Sequence, residues 1–197
     1  VQQKGSLVDA DKLRFDFSHS EGLTAQELQQ VASIVNQQVQ SNGEVLTQEM
    51  DMESAVAAGA TALFGEKYGD EVRVLTMGTD RFSVELCGGT HVSRTGDIGI
   101  FRILTEAGVA SGVRRIEAVT GVGALADIAK ADQALADVCD VVKASPASAA
   151  EKVSNLRKEV RDLEKQITQL KQKLATGAGS DLTEEAVQVG DTNVLAT

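Results

Sequence analysis

Apolar and charged residues alternate at period two through Leu13-Arg14-Phe15-Asp16-Phe17. The alternation predicts a half-buried strand with Leu13, Phe15 and Phe17 inward, and Arg14 and Asp16 close enough to pair on the other face. Gly5 to Val8 begins a strand before it. Thr24-Ala25-Gln26-Glu27 reads as a capping box, and Leu28, Val31, Ala32, Val35 and Val39 then repeat at helical spacing until Asn42-Gly43 stops the helix. Val45 to Met50 reads as a strand, Asp51 caps a short Ala-rich helix to about Ala58, and 62–69 reads as a loop or turn. Val72 to Met77 and Phe82 to Leu86 are two strands joined around Gly78-Thr79-Asp80. Ile100 to Glu106 and Val113 to Thr120 follow, separated by Gly108 to Gly112. In the last of these Arg115 and Glu117 share a face and read as a structural ion pair. Helices inserted among such strands give an α+β fold class over residues 1–120, with a mixed or antiparallel sheet.

The texture changes near Gly121. Residues 121–143 are Ala-rich, and Leu125, Ile128, Leu135, Val138 and Val142 mark a helical stripe broken at Ser145-Pro146. Val153, Leu156, Val160, Leu163, Ile167, Leu170 and Leu174 then alternate by three and four, the a and d positions of a heptad pattern. β-Branched residues dominate at a and Leu at d, which favours a two-stranded seam. The helix over 148–176 either folds back on its predecessor as an antiparallel hairpin or pairs with a second copy of the chain. The short connection favours the hairpin, and the heptads favour a partner. Residues 121–176 therefore read as a long helical hairpin or coiled coil ended by Gly177. Residues 177–197 read as a linker and the cut start of a C-terminal domain, with an Ala186-Val187-Gln188-Val189 strand, a turn at Gly190-Asp191, and Val194-Leu195.

Composition narrows the class. Hydrophobic residues make up 42% and charged residues 24%, ordinary for a soluble globular protein. Trp is absent and aromatics reach only 3%, so base-stacking platforms are not evident. No apolar run approaches the ~20 residues of a membrane span. Two cysteines suit a reducing compartment better than a disulfide scaffold, so the cytoplasm is expected. A net charge of −10 argues against a dedicated nucleic-acid binder, unless Lys4, Arg14, Arg94, Arg114 and Arg115 focus on one groove.

The candidate chemistry lies in Cys87-Gly88-Gly89-Thr90-His91-Val92. Zinc favours Cys sulfur and His nitrogen, and two glycines let the backbone turn both side chains toward one centre. Two donors are half of a four-ligand site, and a plain strand-ending turn is the alternative. The same run resembles the second half of the zinc motif in the editing domain of alanyl-tRNA synthetases, which also occurs in their free-standing editing relatives. Threonyl-tRNA synthetases carry Arg-Gly-Pro where this chain has Gly88-Gly89-Thr90. Gln3-Lys4-Gly5-Ser6-Leu7-Val8, Arg14-Phe15-Asp16-Phe17-Ser18-His19 and Gly112-Val113-Arg114-Arg115-Ile116-Glu117-Ala118 extend the resemblance over nearly the whole chain.

The resemblance implies a second-additional-domain fold that hydrolyses serine or glycine wrongly esterified to alanine tRNA, within a parent enzyme that attaches alanine using ATP. Cys87 and His91 would ligate Zn²⁺. The family's other two ligands, in a His-x-x-x-His motif, are expected upstream of Val1, so this chain alone is expected to hold zinc weakly and to be inactive. Gln3 would lie near the aminoacyl pocket. Lys4, Arg14, His19, Thr90 and Arg115 are candidate contacts to substrate or to the tRNA(Ala) acceptor end, with His19 also readable as a hydrogen-bonded turn residue. No residue is marked as the catalytic base. Two other readings stand beside this one: a helical oligomerisation or spacer module, and a free-standing trans-editing protein.

Overall fold

The period-two run forms strand β2, Leu13–Ser18, at the inside of a four-stranded sheet. The sheet order is β1-β2-β7-β6, with β1 at Gln3–Val8, β6 at Phe101–Ala110 and β7 at Val113–Thr120, each neighbour antiparallel. The protein is seen here in a computed structural model that describes residues 1–62, 69–184 and 187–194. These fall into two units, Val1–Ala131 and Asp132–Thr197.

In the first unit, helix α1 (Ala25–Gln40) starts at the expected capping box: the Glu27 amide donates to Thr24 Oγ1 at 3.2 Å, and the Thr24 amide donates to Glu27 Oε2 at 2.8 Å. Phe17, Ile116 and Ala118 are buried against Leu13, Leu23, Leu28, Phe101 and Ile103. Phe15 departs from the alternation and stays 38% exposed. The apolar residues that cover Phe17 do not extend over Phe15, which only stacks on Phe17 with ring centroids 6.1 Å apart. Asn36 of α1 makes a strand-like bond to β6: its Nδ2 donates to the Phe101 carbonyl at 2.9 Å, and its Oδ1 accepts from the Phe101 amide at 2.8 Å.

A second sheet, in order β3-β4-β5, is formed by Leu46–Asp51, Glu71–Met77 and Ser83–Leu86. Helix α2, Met52–Ala57, is capped by the Asp51 side chain as its sequence predicts, and Ala55 packs on Val72, Val74 and Leu86. β4 turns into β5 through a 3-10 segment, Thr79–Arg81, with Asp80 and Arg81 at φ of 55° and 58°. The loop expected over 62–69 lies, apart from its ends, outside the described residues. Thr95 is buried at 3% exposure because its hydroxyl bridges the Gln38 carbonyl and the Gly43 amide, holding the loop after the Cys/His turn against the end of α1.

Helix α3 spans Gly121–Val142. In the second unit, α4 runs over Ala149–Glu184, past the stop expected at Gly177. An interior glycine costs a helix only about 1 kcal/mol relative to Ala, too little to end one by itself. The heptad stripe is not buried: exposure rises from 37% at Val153 to 74% at Leu174. No hairpin covers it among the described residues. β8 (Val187–Val189) and β9 (Thr192–Val194) pair around a turn at Gly190; Ala186 and Leu195 lie outside the described residues.

Candidate functional site

Strand β5 delivers Cys87, whose amide donates to the Arg73 carbonyl of β4 at 3.1 Å, the last backbone tie before the chain turns. Across the turn, Cys87 Sγ and His91 Nε2 each lie 3.7 Å from the point where a side chain on Gly89 would place its Cβ. Thiol and imidazole thus converge over a residue with no side chain of its own, and anything larger than Ala at position 89 would enter their space. The imidazole is held below its ordinary pKa, first by partial burial and second by the charge of Arg73, against a smaller opposing effect of Glu85. The shift favours the neutral ring, the form that binds a metal. The donor set fits half of a zinc site. Among the described residues no third His, Cys, Asp or Glu joins it. Thr90 is exposed on the same turn.

The other candidates lie on the four-stranded sheet. Asp16 directly opposes Arg115 on β7 and takes a bidentate bond from it, Nε to Oδ1 at 2.7 Å and Nη2 to Oδ2 at 2.8 Å. Arg14 Nε reaches the same carboxylate at 3.8 Å, near enough for attraction but too long for a hydrogen bond, and is otherwise buried without a partner. The hydrogen bonds from Arg115 first, then the charges of Arg115 and Arg14, hold the Asp16 carboxyl below the usual range against the opposing effect of burial. The Arg115–Glu117 pair expected from the sequence does not form. Antiparallel register sets Arg115 against Asp16, closer than a residue two positions along the same strand, and Glu117 pairs instead with Lys12 at 2.7 Å.

Gln3 sits opposite Phe17, its Nε2 donating to Ser6 Oγ at 3.0 Å. Lys4 Nζ donates to Gln2 Oε1 at 3.4 Å. The His19 amide donates to the Gly112 carbonyl at 3.0 Å, and its ring lies 6.3 Å from that of Phe17. Arg14, Arg115 and Gln3 are thereby gathered on β1, β2 and β7, while Cys87, Thr90 and His91 follow the three-stranded sheet.

Two features escaped the sequence reading. Arg114 clasps the half-buried Glu106 with bonds of 2.6 and 2.7 Å, its guanidinium filling the space that a side chain at Gly22 or Gly108 would need. Arg73, the polar residue between Val72 and Val74, donates from Nη1 to the Gly88 carbonyl at 3.4 Å. Its period-two position was the only signal.

Residues 72–117, which carry β4, β5, the Cys87–His91 turn, β6 and the start of β7, match the family model described as the threonyl and alanyl tRNA synthetase second additional domain. Over 196 residues the chain is 55% identical to the alanine–tRNA ligase of Nitrosomonas eutropha. It is also 52% identical over 195 residues to that of Pseudoalteromonas translucida, and 54% over 195 to that of Colwellia psychrerythraea. Nearly the whole chain is thus similar to one part of each of these alanine–tRNA ligases. The matches cover 99–100% of this chain but only 22% of each relative's length. Both motif-bearing sheets and the helices beyond them therefore lie within the alignment to these relatives.

Proposed function

We propose that this chain carries the editing centre of an alanine–tRNA ligase, hydrolysing serine or glycine wrongly esterified to alanine tRNA, in a cytoplasmic parent enzyme that attaches alanine using ATP. The observation that carries the reading is the convergence of Cys87 Sγ and His91 Nε2 over Gly89, inside the segment matched to the second additional domain. Cys87 and His91 would hold zinc together with two upstream histidines; such an ion supplies a positive centre that polarises or orients an ester carbonyl.

The remaining work falls to the chain's own groups. The Gln3 amide offers a hydrogen bond to the serine hydroxyl, and polar recognition of this kind discriminates strongly against alanine, which lacks the group. Arg14 and Arg115, two guanidiniums sharing one carboxylate, keep positive charge available for the acceptor end, with Lys4, His19 and Thr90 as further contacts. Alignment of the whole chain within ligases supports the parent-enzyme reading over a free-standing trans-editing protein.

The test is serine release from mischarged alanine tRNA by the full-length enzyme and by its Cys87→Ala variant. Loss of several kcal/mol of charge stabilisation would lower the rate roughly 100-fold or more. Equal rates in the two proteins would exclude the turn from the chemistry. Failure of the unaltered enzyme to release serine or glycine would end the editing reading.

A second reading rests on the uncovered stripe of α4. In it, residues 148–176 join two copies of the chain, and it is compatible with the first because it uses different residues.

A further inference from the structure

Arg73 stands apart from the other arginines of the two sheets. Arg14, Arg102, Arg114 and Arg115 each have a carboxylate within ion-pair distance. Arg73 has none among the described residues, although Glu49 faces it across the β3–β4 ladder. Its Nε is closed off from water without an acceptor, and among the described residues its guanidinium makes one hydrogen bond, the long 3.4 Å contact to the Gly88 carbonyl. A guanidinium that has lost part of its hydration and gained no counter-charge is an unfavourable arrangement unless an anion completes it. It is also a planar fork suited to phosphate oxygens. Its position is specific. Arg73 hydrogen-bonds the turn between Cys87 and His91.

We propose that Arg73 is the anion-binding residue of this site, receiving the backbone phosphate nearest the ester of the aminoacylated nucleotide. The inference rests on the deacylation reading for the identity of the substrate. An aminoacyl ester on a terminal adenosine brings one phosphodiester, on the 5′ side of the same ribose, to within a nucleotide's length of the scissile carbonyl. A guanidinium beside the turn can hold that phosphate while the ester lies over Gly89. The Gly88 carbonyl occupies only one of the five N–H donors, so the fork remains available. Arg73 thus fixes the ribose that carries the ester, and its contribution falls on substrate binding rather than on the bond-breaking step.

The experiment compares two small substrates in the full-length enzyme: 3′-O-seryl adenosine 5′-monophosphate, and 3′-O-seryl adenosine, which lacks the phosphate. The unaltered enzyme should prefer the phosphorylated ester about 10-fold in kcat/KM, mostly through KM, as a charge-assisted contact would give. Arg73→Gln should erase that preference, and Arg73→Lys, which keeps the charge but not the fork, should retain part of it. The ratio between substrates is the readout, so a general weakening of the variant does not mimic the result. An Arg73→Gln enzyme that loses equally on both substrates, or keeps the full preference, would overturn the proposal and leave Arg73 as a brace for the turn. If the unaltered enzyme cleaves neither ester, the deacylation reading is decided separately, by serine release from mischarged alanine tRNA. Titrating adenosine 5′-monophosphate against adenosine into the unaltered and Arg73→Gln proteins then decides the role of Arg73 by the same ratio.

Discussion

Asp16 holds two arginines at once, and its substitution separates charge from packing. Asp16→Asn keeps the shape of the side chain but leaves Arg14 and Arg115, each about one-third exposed, without their shared counter-charge. The expected loss is about 1–3 kcal/mol, discounted for solvent screening and read from a denaturant midpoint at unchanged slope. The same carboxylate sets an acid limit. The pKa of Asp16 is depressed in the folded chain by Arg115 first, and that of Glu106 by Arg114 first. Both groups stabilise the fold fully above their unfolded values, near pH 4, and lose that contribution as pH falls through their lower folded values. An unfolding titration should therefore show stability falling below about pH 4, with a smaller fall in Asp16→Asn. Of this residue-scale picture, the sequence revealed which strand faces carry charge but not the pairing. Arg115 with Glu117 is the natural reading of one strand; only the register of β2 against β7 shows that Asp16 and Lys12 are the true partners.

At the scale of elements, legibility followed the presence of local chemistry. The Thr24 capping box, the Asp51 cap, the strand periods and the Ser145-Pro146 break all act within a few residues, and the structure reproduces α1, α2 and the main strands at or near the expected positions. Thr24→Ala should cost about 1 kcal/mol and lower the thermal midpoint by several degrees, because the Glu27 amide would lose its acceptor. What local chemistry could not show is tertiary. The fraction of a strand face that a helix covers decided Phe15, and the continuation of α4 beyond Gly177 depends on a balance that one glycine does not set. The candidate site was legible as a pair of donors, since Cys87 and His91 lie four positions apart. Arg73 was not, because it enters from a different strand.

For the whole molecule, the two units pose different questions. The first has its own buried clusters and carries the site; the second exposes a seven-residue apolar stripe along a helix of 36 residues. If a second copy covers that stripe, sedimentation of the protein should show concentration-dependent self-association, and Leu163→Glu should shift it to monomer while leaving serine release intact. Monomer at every concentration would remove oligomerisation as the role of α4.

The bond between Asn36 and β6 bears on a hazard common to all open sheets. β6 is the outer strand of its sheet, and an outer strand presents free amides and carbonyls on which another chain can template itself. At Phe101 both groups are already taken, by one amide side chain projecting from α1. The helix thus stands in for the missing neighbour at the start of the strand, and an intruding strand would have to displace it before adding a first rung. Asn36 acts, in that respect, as a guard against aggregation.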